Sequence, residues 1–169
     1  MSNVRLQREM RRFIVWLVVA AASSIGALIL LAIVSLEFPG STEVRWESPA
    51  SGVQIALQLK PLHPFLAEYE KTVALRTRNG DEVAHPLFPD TGGYLRTQVY
   101  GGPSDVFYLK GYFDVARVSV RDMRIETDGE QVPEGASYLG AFDEDASGQV
   151  RFLSPIESPE QPLLPREGQ

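Results

Sequence analysis

Hydrophobic and polar positions divide the chain into unlike parts, and the first of these is an uninterrupted apolar run. Residues 13–36 make up 24 positions without a charge, broken only by glycine and serine. An α-helix of that length reaches about 36 Å, which is enough to cross a hydrocarbon core of about 30 Å. The run lacks the polar face that a helix of a small soluble domain presents to water. A cleaved signal peptide has a shorter apolar region, of about 7–15 residues, so we predict a retained transmembrane helix.

Beyond residue 50 the pattern changes to short segments with the period of β-strands. Residues 53–60 alternate apolar and polar side chains, which is typical of a half-buried strand. Asn79-Gly80 separates segments 72–77 and 82–87, and this dipeptide tolerates the positive φ angles of a type I′ hairpin turn. The remaining strands are predicted at 94–100, 106–109, 112–120, 121–127, 138–142 and 149–153. Short strands with glycine- and proline-containing turns predict an antiparallel β-sandwich or a small barrel.

These patterns give a domain organisation. It consists of a basic stub at 1–12, a transmembrane helix at 13–36, a tether at 37–50, a β-domain at 51–153 and a tail at 154–169. The tail is rich in proline and is predicted to be disordered, with extended polyproline-like conformations. The helix candidate of the β-domain, residues 64–71, is short and uncapped, so we expect a single turn or irregular structure there.

Charge is distributed unevenly along the chain and sets the predicted orientation. The formal net charge is −6, yet residues 1–12 carry four arginines against one glutamate. Because basic flanks stay cytoplasmic, the N-terminus is predicted inside, as in a single-pass signal anchor of a bacterial inner (plasma) membrane. The β-domain is then periplasmic or extracellular. Its acidic composition disfavours nucleic-acid binding, which needs basic side chains against phosphates.

The chain contains no cysteine and two histidines, which narrows its chemistry. The absence of cysteine excludes disulfides, thiolate metal sites and a cysteine nucleophile. His63 and His85 both precede proline, and no nucleophile elbow, zinc-protease motif, phosphate loop or dinucleotide fingerprint accompanies them. A protein without enzymatic activity is therefore predicted. A membrane-tethered hydrolase, built on one of these histidines and a nearby carboxylate, is a second alternative.

An acidic hairpin loop carries the sharpest local motif. Asp143, Asp145, Ser147 and Gly148 match the first half of a calcium-binding loop, with oxygen ligands at alternate positions and a glycine for the turn. The twelfth position of such a loop supplies a bidentate glutamate, and here it is Ser154. Asp143, Asp145 and Ser147 are thus candidate Ca²⁺ ligands. The competing interpretation is an acidic turn in which Asp and Ser cap the backbone.

Aromatic side chains are dense between residues 94 and 113. Tyr94, Tyr100, Tyr108 and Tyr112 are candidates for an exposed patch that binds a protein or a glycan, because aromatic surface clusters mark such sites. The competing interpretation is that most of them pack in the core. Trp46 similarly fits either the outer membrane interface or the core.

The predicted membrane helix also contains Ala22 and Gly26, small residues four positions apart that let helices approach closely. They are candidates for helix–helix association. Together these features predict a membrane-anchored protein whose β-domain acts as an interaction, assembly or accessory subunit of a membrane or envelope complex. The first alternative is an ectodomain that binds a lipid, a glycan or Ca²⁺.

Overall fold

The computed structural model describes residues 15–17, 23–26, 40–49, 51–63, 65–127 and 131–163. The chain divides into two units, Met1–Phe38 and Pro39–Gln169.

In the first unit the described residues, 15–17 and 23–26, are helical, and Gly26 belongs to the second of these stretches. No helix among the residues described is long and apolar enough to span a membrane. The rest of the predicted span lies outside the described residues, as do the stub at 1–12 and Ala22. The transmembrane helix and its association motif therefore stay predictions.

The described residues of the second unit form two antiparallel sheets, one of five strands and one of six. The strands are β1 (Thr42–Glu47), β2 (Gln54–Pro61), β3 (Glu68–Arg76), β4 (Glu82–Pro86), β5 (Asp90–Thr91), β6 (Thr97–Gly101), β7 (Val106–Lys110), β8 (Val115–Ser119), β9 (Arg124–Glu126), β10 (Ser137–Glu144) and β11 (Val150–Leu153). The first sheet has the order β1-β2-β3-β4, with β5 also paired to β3, and the second has the order β11-β10-β6-β7-β8-β9. This all-β architecture is consistent with a sandwich.

The hydrophobic core consists of inward-facing side chains from both sheets. Ile55, Leu57 and Leu59 of β2 are buried against residues such as Leu109 and Phe142 of the second sheet. Burial of apolar surface contributes roughly 25 cal/mol per Å², so this shared layer is the main stabilising term of the unit. The predicted alternation at 53–60 is confirmed by β2, and the predicted hairpin around Asn79-Gly80 is confirmed by the β3–β4 pairing. The turn is not of type I′, because Gly80 has a positive φ of 93° but Asn79 does not, and the Gly80 N–H donates to the Thr77 carbonyl at 3.1 Å.

Part of the predicted tether is a strand. Residues 42–47 form β1, which pairs along its length with β2. Val44 is buried, and the Trp46 ring contacts Phe107 and Phe152 at centroid distances of 5.4 and 5.3 Å. Trp46 is therefore partly buried against the core, which favours the packing interpretation. Similarly, residues 68–71 of the former helix candidate begin β3.

Strand β10 contains a bulge that depends on a glycine. The register of the β10–β6 pair shifts between Tyr138 and Gly140. Gly140 has a φ of 136°, and a Cβ atom added there would lie 2.2 Å from the Leu153 carbonyl oxygen on β11. Only glycine fits both the conformation and the close approach of the neighbouring strand.

Candidate functional site

A segment of the tail, residues 158–163, lies on the outer face of the second sheet, and we call it the strap. Arg96, just before β6, holds its first half. The Arg96 guanidinium donates to the Ser158 hydroxyl at 2.7 Å and to the Pro159 carbonyl at 2.6 Å. It also pairs with the Asp143 carboxylate at 2.8 Å. Residues 158–163 thus differ from the predicted disordered tail, whereas residues 164–169 lie outside the described residues.

The second half of the strap is held by an amide clamp. The fully buried Gln98 side chain accepts the Gln161 N–H at 2.9 Å and donates to the Gln161 carbonyl at 3.0 Å. Because these partners are backbone groups, the clamp recognises an extended chain whatever its side chain. The strap ends at Leu163, which is buried.

Two tyrosines complete the strap-binding face. The Tyr138 hydroxyl donates to the Ser158 carbonyl at 2.7 Å, and the Tyr100 hydroxyl donates to the Glu160 carboxylate at 2.9 Å. Burial raises the pKa of Tyr100 above its ordinary value, and the hydrogen bond to Glu160 raises it further. Burial likewise raises the pKa of Tyr138. Both phenols therefore remain protonated donors at neutral pH.

The tyrosines predicted to form an exposed patch do not form one. Tyr94, Tyr100 and Tyr108 are buried, and Tyr112 is half-buried. Tyr94 instead packs edge-on against Tyr112, with ring centroids 4.8 Å apart. The physical reason is that their large apolar area is better removed from water than displayed. Of the four, Tyr100 does touch an extended segment, but that segment belongs to the same chain.

Beside the strap lies a small polar cleft of about 220 Å³, lined among others by Tyr69, Asp90, Arg96 and Asp143. Pockets for small molecules usually measure about 300–1,000 Å³. Asp90 is buried, and its carboxylate accepts the N–H groups of Gly92 and Tyr94 at 3.0 and 2.8 Å. The buried charged side chains of this cleft thus form hydrogen bonds to neighbouring segments of the same chain.

Lys71 is a buried cation that sequence reasoning did not single out. It is 3% exposed, and its Nζ lies 3.4 Å from the Tyr94 carbonyl oxygen. Burial lowers the pKa of Lys71, and the charges of Asp114 and Asp90 oppose this shift. A group so deeply enclosed links β3 to the loop before β6 and is out of reach of a substrate. No local pattern marks Lys71, Asp90 or Arg96, because their partners come from distant segments.

The acidic hairpin loop is organised around Asp145. One oxygen of its carboxylate accepts the Ser147 N–H and hydroxyl at 2.8 and 2.6 Å and the Gln149 N–H at 3.1 Å. The other oxygen pairs with Arg151 at 2.8 Å. Hydrogen bonds from Ser147 and Arg151 hold the pKa of Asp145 well below its ordinary value. These contacts are those of an acidic turn.

The three candidate calcium ligands point to different partners. Asp143 pairs with Arg96, whereas Asp145 and Ser147 bond to each other. Within the described part of the chain, no group of three or more acidic, histidine or cysteine residues could hold a metal ion.

The two histidines lie on different elements. His85 on β4 bonds through Nε2 to the Thr127 hydroxyl at 3.0 Å, and so connects the edges of the two sheets. His63 lies in the β2–β3 loop, where its Nδ1 accepts the Phe65 N–H at 3.1 Å. Neither of these contacts involves a carboxylate. A hydrolytic site would instead need a histidine oriented by an acidic residue in a cleft.

One end of the domain exposes large apolar side chains. In the β2–β3 loop, Leu62, Phe65 and Leu66 are 44%, 73% and 54% exposed. Phe88 and Phe113 are also exposed, and their rings contact each other at a centroid distance of 4.8 Å and an interplanar angle of 42°. We call these five residues the apolar end. Exposed apolar clusters of this kind mark contact surfaces.

The outer face of the first sheet carries an ion-pair network. Arg76 donates to Glu43 at 2.6 and 2.9 Å and to Glu82 at 2.9 and 3.1 Å. On the same sheet, the small side chains of Ala56 (β2) and Ala74 (β3) are fully buried, although they do not belong to the core cluster between the two sheets. The hydrogen bond from Arg76 is the main reason that the pKa of Glu43 falls to about 2.

No protein-family model, curated protein or solved structure matches this chain. Its function must therefore be argued from its own residues. Two features stand out: a strap that is held through its backbone, and an end that leaves apolar side chains in contact with solvent.

Proposed function

We propose that this protein is a single-pass membrane-anchored subunit whose β-domain takes part in protein interaction or assembly and performs no catalysis. The observation that carries the proposal is a contrast between its buried charged side chains and its exposed apolar side chains. The buried charges hold the chain's own segments, whereas the large apolar side chains of one end are exposed. An exposed apolar surface of this kind is typical of a site that contacts another protein or a membrane.

The membrane anchor in this proposal is the uncharged run at 13–36, with its basic N-terminal flank. A span of that length fits a bilayer, and the arginines orient it with the N-terminus in the cytoplasm. The β-domain then lies on the periplasmic or extracellular side of the inner (plasma) membrane. There it would meet partners in a membrane or envelope complex.

The interaction role is favoured over catalysis by the placement of the polar groups. Arg96 is committed to the strap, Asp90 to a turn and Asp145 to a hairpin loop. The carboxylates of Asp90 and Asp145 and both Nη groups of Arg96 already have hydrogen-bond partners inside the domain. A catalytic group would instead face a cleft large enough for a substrate.

The membrane orientation is tested first, and the absence of cysteine makes the test clean. Single-cysteine variants Ser2→Cys and Asn79→Cys would be treated with a membrane-impermeant maleimide in intact cells whose outer barrier is permeabilised. We expect labelling at residue 79 without lysis and at residue 2 only after lysis. The reverse pattern, or equal labelling of both, would contradict the anchored topology.

The interaction role is tested by purifying the tagged full chain from its native membranes in a mild detergent. We expect a partner in fixed stoichiometry, and a mass by light scattering above that of the detergent-bound monomer. Membranes that contain the untagged chain provide the matched control. Recovery of a lone monomer under several mild detergents would argue against an assembly subunit.

Ligand binding is a second candidate, and a different cavity favours it. A cleft of about 400 Å³ is lined by Gly102, Tyr108, Pro133 and Ser137, among others. Its volume falls within the range of small-molecule sites, and aromatic and proline side chains suit a glycan or a lipid. Thermal shift measurements against glycan and lipid panels would test it, and the absence of any shift would count against it.

A further inference from the structure

The chain enters the β-domain beside the loop that bears its most exposed aromatic side chain. Strand β1 begins at Thr42, and Thr42 pairs with Leu59 near the end of β2. Strand β2 ends at Pro61, and the loop with Leu62, Phe65 and Leu66 follows directly. The point of chain entry and this loop therefore share one end of the first sheet.

The contacting rings of Phe88 and Phe113 lie at the same end. Strand β5 pairs with the beginning of β3, immediately after the β2–β3 loop, through Tyr69 and Asp90. Phe88 precedes this pairing by two residues and donates its N–H to the Asp114 carboxylate at 2.6 Å. All five residues of the apolar end thus lie at the end of the domain where the chain enters.

Chain length places this end close to the predicted membrane surface. The predicted span ends at residue 36 and β1 begins at Thr42, so five residues lie between them and six Cα–Cα steps join the two positions. Fully extended, they reach at most about 20 Å. The turn at Asn79-Gly80 lies at the opposite end of the sheet, farther away by the length of the eight-residue β2, about 26 Å.

The charges around the loop suit a neutral lipid surface. Lys60, on β2 just before the loop, is paired with Glu70 at 2.9 Å, so a neighbouring carboxylate balances its charge. The chain as a whole carries a net charge of −6. The loop exposes apolar side chains to solvent. Its backbone is fixed at the base, because the Leu62 N–H donates a hydrogen bond to the Glu68 carbonyl at 2.8 Å. Apolar insertion is the form of binding that such a surface supports.

We propose that the apolar end rests on the outer surface of the bilayer, and that Leu62, Phe65 and Leu66 insert into the interface of zwitterionic lipid. This inference rests on the membrane anchor of the proposed function and adds how the β-domain is oriented. The domain then stands with its strands upright on the membrane and presents the Asn79-Gly80 end to the aqueous compartment. Protein partners would approach from the sides and from that far end.

The experiment uses the full chain in phosphatidylcholine vesicles, with an environment-sensitive fluorophore on Leu66→Cys. Lipids that carry a nitroxide near the headgroup act as quenchers. We expect a blue-shifted emission and at least about twofold quenching at position 66. The matched control, the same fluorophore on Asn79→Cys, should show neither. Because only lipid and this chain are present, no partner protein can produce the signal.

A second readout on the same samples separates this inference from the anchor. Flotation of the vesicles after alkaline carbonate treatment reports whether the chain is integrally anchored. If the chain floats but position 66 is no more quenched than position 79, the orientation proposed here is overturned and the anchor stands. If position 66 is quenched but the chain is released by carbonate, loop insertion stands and the anchor fails. Equal quenching at both positions would also overturn the orientation.

Discussion

Replacing Arg96 by methionine is expected to release the strap and to lower the free energy of unfolding. Methionine retains an unbranched apolar stem but lacks the guanidinium group. The change removes the hydrogen bonds to Ser158 and Pro159, and it leaves Asp143 without its cation. The strap would then be held only by Gln98, Tyr100 and Tyr138.

The magnitude follows from the burial of the two charged partners. The Arg96 side chain is 8% exposed, whereas that of Asp143 is 24% exposed. Removing one member of a buried ion pair costs about 3–5 kcal/mol, and each hydrogen bond to a charged group contributes about 1.5–3 kcal/mol. These contributions overlap and do not add, and water can reach Asp143 once the arginine is gone. We therefore expect a loss of about 3 kcal/mol.

Two measurements report the effect. Denaturant unfolding gives the free energy, and hydrogen exchange followed by mass spectrometry gives the protection of the strap. The Gln161 N–H, which the Gln98 side chain accepts, should exchange faster, while the β2–β3 pair should keep its protection.

Arg151→Met is the matched control, because it removes an arginine that pairs on the exposed surface. The Arg151 side chain is 45% exposed and contacts Asp145 and Glu157. Exposed ion pairs of this kind contribute about 0–1 kcal/mol. If Arg96→Met and Arg151→Met had equally small effects, and Gln161 kept its protection, Arg96 would not be what holds the strap.

Further predictions concern acid stability, the bulge and calcium. The pKa of Glu43 is lowered from 4.5 to about 2, so its ionised form contributes stability that is present above pH 4.5 and is lost as the pH falls toward 2. Glu43→Gln should flatten this decline when the urea midpoint is measured against pH, and an unchanged decline would refute the role of Arg76. Gly140→Ala should lower the free energy of unfolding by at least about 3 kcal/mol, because the added Cβ would collide with the Leu153 carbonyl at a strained φ. A melting temperature equal to that of the unmodified protein would contradict this. Millimolar Ca²⁺ should leave the melting temperature unchanged, because Asp145 is already bonded within its turn; a rise would favour the calcium loop.

Local patterns in the sequence were sufficient for several elements. The alternation in β2 reflects a strand with one face in the core, and Asn79-Gly80 supplies a glycine for the positive φ of the turn. Both signals depend on neighbours within a few positions. The all-β class and the β3–β4 hairpin follow directly from such signals.

Other elements have no local signature. Strand β1 alternates buried Val44 with charged Glu43 and Arg45, and it becomes a strand because β2 supplies the hydrogen-bond partners. The acidic loop and Trp46 each allow two interpretations from sequence, and only burial and partners separate them. Composition alone cannot tell a capped turn from a metal site, because both use oxygen-bearing side chains.

By itself, the sequence predicted an anchor with its orientation and determined most of the strands, because apolar length, flanking charge and side-chain period are properties of consecutive residues. Only the tertiary structure decided which prolines of the tail are held, which tyrosines are buried and which loop stands beside the chain entry. Arg96 meets Ser158 across 62 positions of sequence, and Thr42 meets Leu59 across a strand pair. Such contacts arise from the packing of whole sheets, so their chemistry becomes visible only when the fold brings the partners together.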